Sequence, residues 1–422
     1  MTENQKRIVF YVVMTIATLV LLEAMLTVLA WTSPRVAQLL APPWPTVPDS
    51  RLGHRPSPGI RDHDSRGWRN PTALNKADIV ALGDSQTYGE NVSATEAWPS
   101  QLQAMMSKSV YSMAYGGYGP VHSLLLWSEA ADLHPRIVIE AFYAGNDLFD
   151  SFDVVYSRKQ LPELKSTEDG IQQQVQDAEK VEPLSKQIGR MFYMGNAGTF
   201  AIPLTATTAT PVSLSGLRRV VTERSSIYGL LRRARYEIER DRVPAKPETW
   251  EVAKALAREN SAYCEILATG EFKTILTPAY RLAAVDLTNV RIAEGLRISL
   301  KAIKTMQDLA AAQGIKLLVV LIPTKEYVFQ DVFQDTSISL SRSYAALIEN
   351  EELLWRQAKD YFDRYGIAYV DALPAFREEL ANHVQPYPIT RDGHPNQYGH
   401  RAIAQAVASY LEQLPSTSSQ RQ

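Results

Sequence analysis

Ser85 follows a short apolar run, Ile79-Val80-Ala81-Leu82, that is broken by Gly83-Asp84. The run reads as a strand covered on both faces, and the Gly-Asp break as the turn into a helix. A serine at that handover has an exposed hydroxyl and a backbone N–H near a helix N-terminus, where negative charge is favoured. That suits a nucleophile whose reaction builds an oxyanion. The same serine would also serve as an ordinary N-cap. Far along the chain stands Asp392-Gly393-His394, followed by Pro395-Asn396 and Gly399. An aspartate close to a histidine can fix its tautomer and stabilise the imidazolium, and the histidine can then take a serine proton. Alone, Asp-Gly-His reads more simply as a turn. His400 is a rival base, placed by the pattern inside the last helix.

For these groups to meet, the elements between them must bring strand ends together. Three strand–loop–helix units follow one another. The strands are 79–82, 109–114 and 136–143, and the loops at their C-terminal ends are Gly83-Asp84-Ser85, Tyr115-Gly116-Gly117-Tyr118-Gly119 and Gly145-Asn146-Asp147. That order predicts a doubly wound α/β sheet, in which ligands bind at the strand C-termini. The pattern stops at about residue 156 and returns near Val290. A helix ending at Gly314, a strand over 315–322, a helix over 341–365 closed by Gly366, and a strand over 367–371 follow. Asp392 and His394 lie after this fifth strand, and a last helix covers about 396–414.

The intervening segment, 156–286, reads as a mainly helical insertion, a lid or a partner surface. Within it, Leu217 to Arg242 is a basic amphipathic stretch, which packs one face or lies on a membrane. No role is assigned to Met194–Ser215.

Apolar residues make up 45% and charged residues 21%, a globular composition, and a net charge of −2 gives no case for nucleic acid. The single cysteine, Cys264, excludes an intrachain disulfide, and no Cys/His cluster suggests a metal. Residues 8–31 are nearly all apolar, long enough for a bilayer span of roughly 20 residues. The span reads as an uncleaved anchor; a signal peptide cut near Ala30 is the rival. Lys6 and Arg7 before it point to a cytoplasmic N-terminus and an extracytoplasmic remainder. Glu23, the one charge in the span, either meets a partner or reaches the interface. Residues 32–70 read as a proline-rich tether whose last part, Asp64–Asn70, packs beside the first strand, and 415–422 as a polar tail.

Together the four loops resemble, in order and in structural place, the blocks of the SGNH (GDSL-type) esterase and acyltransferase superfamily. The resemblance covers about 71–155 and 287–414. It implies a three-layer α/β/α sandwich around a five-stranded, mostly parallel, flavodoxin-like sheet. It implies that Ser85 is the nucleophile, His394 the base and Asp392 its orienting acid. The oxyanion donors would be the N–H of Ser85, the N–H of Gly117 and the side-chain amide of Asn146. No cofactor is implied. Ser112 stands where many members keep an asparagine. The Asp-x-His spacing is tighter than in free esterases and is similar to membrane-tethered, exported members linked to surface polysaccharides, alginate O-acetylation proteins among them. The runs holding Arg281 and Lys325 also look like such members. The two cations either bind an acidic sugar or make ordinary ion pairs.

The expected activity is therefore a serine esterase acting on O-acyl, chiefly O-acetyl, groups of an extracytoplasmic polysaccharide at the inner membrane. Alternatives are an O-acetyltransferase with the same residues, a lysophospholipase or thioesterase, and a non-catalytic subunit on an SGNH scaffold. A membrane-bound acyltransferase or a polysaccharide-export complex is the expected protein partner.

Overall fold

The computed structural model describes residues 2–33, 36, 40, 46–58, 60, 62–196, 225–231, 234, 249–334 and 340–413. Most of the segment 194–215, most of the basic stretch 217–242 and the whole tail 415–422 lie outside these residues. The chain forms two units: residues 1–45 with 202–247, and residues 46–201 with 248–422.

In the first unit, Glu3–Thr32 is one helix, opened by a capping box between Thr2 and Gln5. It is long and apolar enough to cross a membrane. Glu23 finds its partner within the chain. Its carboxylate accepts from Ser225 Oγ at 2.9 Å and from the backbone N–H groups of Ser226 and Ile227, at the start of a helical turn over 226–231. A carboxylate at a helix N-terminus satisfies donors that the helix itself cannot pair.

The second unit is built on a five-stranded parallel sheet whose strands lie in the order 110–114, 79–83, 137–143, 316–322 and 368–371. These are β3 (Ile79–Gly83), β4 (Val110–Ala114), β5 (Ile137–Tyr143), β8 (Lys316–Ile322) and β9 (Ala368–Asp371). Every sheet strand is parallel to its neighbours, as the flavodoxin-like order requires. Alternate residues feed two cores. Val80, Leu82, Val138 and Val319 face the helices Pro120–Ala131, Val290–Gln313 and Arg342–Tyr365. Ile79, Ala81, Ile139 and Val320 face the helices Trp98–Met106 and Gln397–Gln413. Each fully buried aliphatic side chain contributes about 1.5–3 kcal/mol, so this double-sided burial holds the strand ends in place.

The expected layout is corrected at the tether and extended in the insertion, which is mainly helical as expected. Residues 46–63, expected as tether, fold from Thr46 onward, and 64–70 pack against the sheet as expected. β1 (Thr46–Asp49) and β2 (Gly53–Pro56) pair antiparallel. Arg55 makes a two-pronged ion pair with Glu129, at 2.6 and 2.8 Å. Trp68 is buried, and the Asn70 side chain pairs both backbone groups of Ser112 on edge strand β4. Prolines at positions 48 and 56 are compatible with such short edge strands, which is why composition alone suggested a linker. The insertion also holds a second antiparallel hairpin, β6 (Glu265–Ala268) with β7 (Lys273–Leu276), beside its helices.

Candidate active site

The sheet order reverses between β3 and β5, and the crevice at their C-terminal ends is where such sheets place ligands. Gly83 ends β3 with φ +146°, and a Cβ there would lie 2.5 Å from Thr87 Oγ1, so the turn requires glycine. Asp84 caps the following turn, Ser85–Tyr88, by accepting the Gln86 N–H at 2.8 Å. This fixes Ser85 as the first helical residue.

Ser85 Oγ lies 2.8 Å from His394 Nε2 and 3.4 Å from Asp84 Oδ2. His394 Nδ1 lies 2.6 Å from Asp392 Oδ1, which also accepts the His394 backbone N–H at 2.9 Å. A carboxylate there accepts, so Nδ1 carries the hydrogen and Nε2 is left to accept from the Ser85 hydroxyl. Burial alone would raise the Asp392 carboxyl. The hydrogen bond and charge of His394, with the Asn91 amide, outweigh it and hold Asp392 well below the usual carboxylate range. Burial would lower His394, but Asp392 overrides it and raises the imidazole above its ordinary value. Asp84 moves upward through burial, opposed by the Gln86 N–H and the His394 charge.

The glycine loop after β4 runs alongside. A Cβ on Gly116 would lie 3.8 Å from the Ser85 Cβ, and Gly117 has φ +76°. The loop is held from below by His54 of β2, whose Nε2 lies 3.0 Å from the Gly116 carbonyl. Asn146 follows β5, and its Nδ2 donates to Asp150 Oδ2 at 2.6 Å. Ser85, Gly117 and Asn146 thus stand on loops of three adjacent strands. Asp150 is pushed up to about 7 by burial, against the Asn146 hydrogen bond.

Arg281 and Lys325 are buried rather than presented to solvent. Lys325 Nζ donates to the carbonyls of Thr390 at 2.7 Å, Ile275 at 3.0 Å, Asp392 at 3.1 Å and Pro388 at 3.4 Å. It clasps the loop that carries Asp392. Burial pulls its ammonium down to about 7, against the charges of Glu326 and Asp392. Arg281 donates to the Gly145 carbonyl at 3.3 Å, stacks over Tyr280 and Tyr143, and stands 3.9 Å from Glu326. A Cβ on Gly393 would meet its Nη2 at 2.2 Å, so glycine between Asp392 and His394 lets the guanidinium pass. His400 is fully buried. Its Nδ1 accepts the Trp98 N–H at 3.3 Å, and burial pulls it down to about 3. Asn91, Asp150 and His54 were not picked out from sequence. Asn91 and His54 reach the site through contacts between segments far apart in the chain, whereas Asp150 stands one helical turn after Asn146, a spacing that marks such a pair in sequence. Among the described residues no cluster of His, Cys, Asp and Glu could hold a metal ion.

The arrangement can deprotonate a serine hydroxyl, hold the resulting imidazolium, and offer backbone and amide donors to an oxyanion beside it.

Residues 282–422 match the family model of the SGNH hydrolase-like domain of the acetyltransferase AlgX. This segment holds Asp392, His394 and Lys325 but not Ser85. No curated protein matches the chain. Among solved structures, the chain is similar to an extracellular lipase from Streptomyces rimosus (11% identity, TM-score 0.37, 79% of this chain and 99% of that one). It is similar to a catalytic mutant of Axe2, an acetylxylan esterase from Geobacillus stearothermophilus (8% identity, TM-score 0.32, 80% and 95%). A GDSL-like lipase from Bacteroides thetaiotaomicron is a third (10% identity, TM-score 0.31, 79% and 87%).

Proposed function

We propose that this protein, an SGNH-superfamily chain by its match over residues 282–422, is a serine esterase that acts on O-acyl, chiefly O-acetyl, groups of an extracytoplasmic polysaccharide. The observation that carries the reading is the line from Ser85 Oγ through both ring nitrogens of His394 to Asp392. Ser85 Oγ attacks the ester carbonyl carbon while His394 Nε2 takes its proton. The Ser85 and Gly117 N–H groups and the Asn146 amide receive the oxyanion. Collapse of the tetrahedral intermediate breaks the bond to the sugar oxygen, which takes the proton back from His394. The acyl group is then on Ser85. Water, deprotonated by His394, attacks the acyl-serine, and collapse of this second intermediate breaks the bond to Ser85 Oγ, which takes the proton back from His394 as the carboxylic acid leaves.

A second reading keeps the first half-reaction and passes the acyl group to a sugar hydroxyl. The AlgX acetyltransferase match over residues 282–422 favours it. Placement at the membrane, N-terminus inside, is supported by the helix Glu3–Thr32 and by Lys6 and Arg7 ahead of its apolar stretch. The test is turnover of p-nitrophenyl acetate and of an acetylated oligosaccharide by the full chain in detergent. Loss on Ser85→Ala supports acyl-ester chemistry, and no turnover of either ester sinks it. Acetate as the only product favours the esterase, and acetylated acceptor the transferase.

A further inference from the structure

Asn91 and Asp392 are separated by 301 positions, yet the Asn91 side-chain amide donates to Asp392 Oδ2. The other carboxylate oxygen, Oδ1, takes both hydrogens offered by His394. One oxygen therefore faces the imidazole, and Asn91 holds the other. The carboxylate cannot turn about its Cβ–Cγ bond without losing one set or the other.

Asn91 is itself held in an unusual conformation. Its φ is +67°, in the left-handed region, which side chains other than glycine's enter at a cost. A turn alone would be served better by glycine. What holds this loop is Arg69, whose guanidinium donates to the carbonyls of Tyr88, Gly89 and Val92 at 2.5 to 3.1 Å. It also stacks over the Tyr88 ring. Tyr88 closes the same helical turn that Ser85 opens. One clamped loop thus begins at the candidate nucleophile and ends at the group that grips the candidate acid.

We propose that Asn91 is a positioning residue: presented by Arg69, it aligns Asp392 for His394 and ties the Ser85 loop to the Asp392–His394 loop. The inference rests on the Ser85–His394–Asp392 reading above. As His394 becomes an imidazolium, a carboxylate already fixed at its far oxygen needs no reorientation.

The test uses the full chain in detergent with p-nitrophenyl acetate. Asn91→Gly accepts the φ of +67° while deleting the amide. Asn91→Asp keeps the shape and replaces a donor by a second carboxylate. Asn91→Gly is expected to lower kcat about tenfold with KM within about twofold, the cost of a misaligned group. Asn91→Asp is expected to raise the midpoint of the ascending pH limb by about half to one unit, because a nearby negative charge favours protonated His394. Wild-type kcat in Asn91→Gly, or an unmoved pH limb in Asn91→Asp, overturns the proposal. Failure of the underlying reading is distinct, since Ser85→Ala would then retain turnover in the wild-type background.

Discussion

Ser85 Oγ and His394 Nε2 stand 2.8 Å apart although 309 residues separate them, and Asp392 occupies the far side of the imidazole. His394 can accept the serine proton only when neutral. Its pKa is raised, with Asp392 overcoming burial, so activity should rise with pH through a midpoint above the ordinary 6.5. Asp392→Asn removes the charge that raises it. The midpoint should then fall, and kcat should drop about 10⁴-fold as the tautomer is lost. A pH profile of kcat/KM for both proteins checks this.

Asn146 is the side-chain donor on the third loop. Asn146→Ala should lower kcat by about 10²–10³ with little change in KM, the usual cost of one oxyanion donor. Steady-state kinetics on a small acetyl ester reads the split. A change confined to KM would place Asn146 in substrate binding instead.

Lys325 gathers the carbonyls of Thr390, Ile275, Asp392 and Pro388. Lys325→Met strips them of their donor while filling similar space, and should cost about 2–4 kcal/mol of stability. Thermal denaturation measures the loss. If the folded variant shows intact stability and a raised KM for an acidic oligosaccharide, the lysine reads substrate rather than holding the loop.

Glu140 lies in the middle of β5, fully buried, and burial, with the nearby Asp84 adding to it, pushes it up from 4.5 to about 8 although the neighbouring Ser123 side chain opposes the shift. Between these values the folded chain binds a proton that the unfolded chain releases. Its contribution is therefore fully present below about 4.5 and is lost as pH rises through about 8. Glu140→Gln should flatten this dependence, so that its Tm exceeds that of the wild type by about 2–4 °C or more at pH 9 but not at pH 5. Parallel melting curves at the two pH values decide it.

The parts of the site legible in sequence are those that local pattern encodes. Ser85, Gly117 and Asn146 each sit where an apolar run ends in glycine or aspartate, and buried parallel strands produce such runs. His394 became legible through its spacing from Asp392 and the helix that follows. From sequence Arg281 and Lys325 read as binders of an acidic sugar or as members of ordinary ion pairs, and no local pattern chooses between the two. Their carbonyl and ring contacts come from segments that meet only in the folded chain. The Asn91–Asp392 contact was hidden for the same reason. β1 and β2 were masked by their prolines and by strands only four residues long.

The central claim is that Ser85 carries the acyl group. The most direct measurement is the intact and peptide-mapped mass of the full chain after reaction with a serine-directed fluorophosphonate and, separately, after rapid acid quench with p-nitrophenyl acetate. The account predicts one adduct, on Ser85, absent from Ser85→Ala and slowed in His394→Ala. An adduct on another residue, or equal labelling of Ser85→Ala, would contradict it.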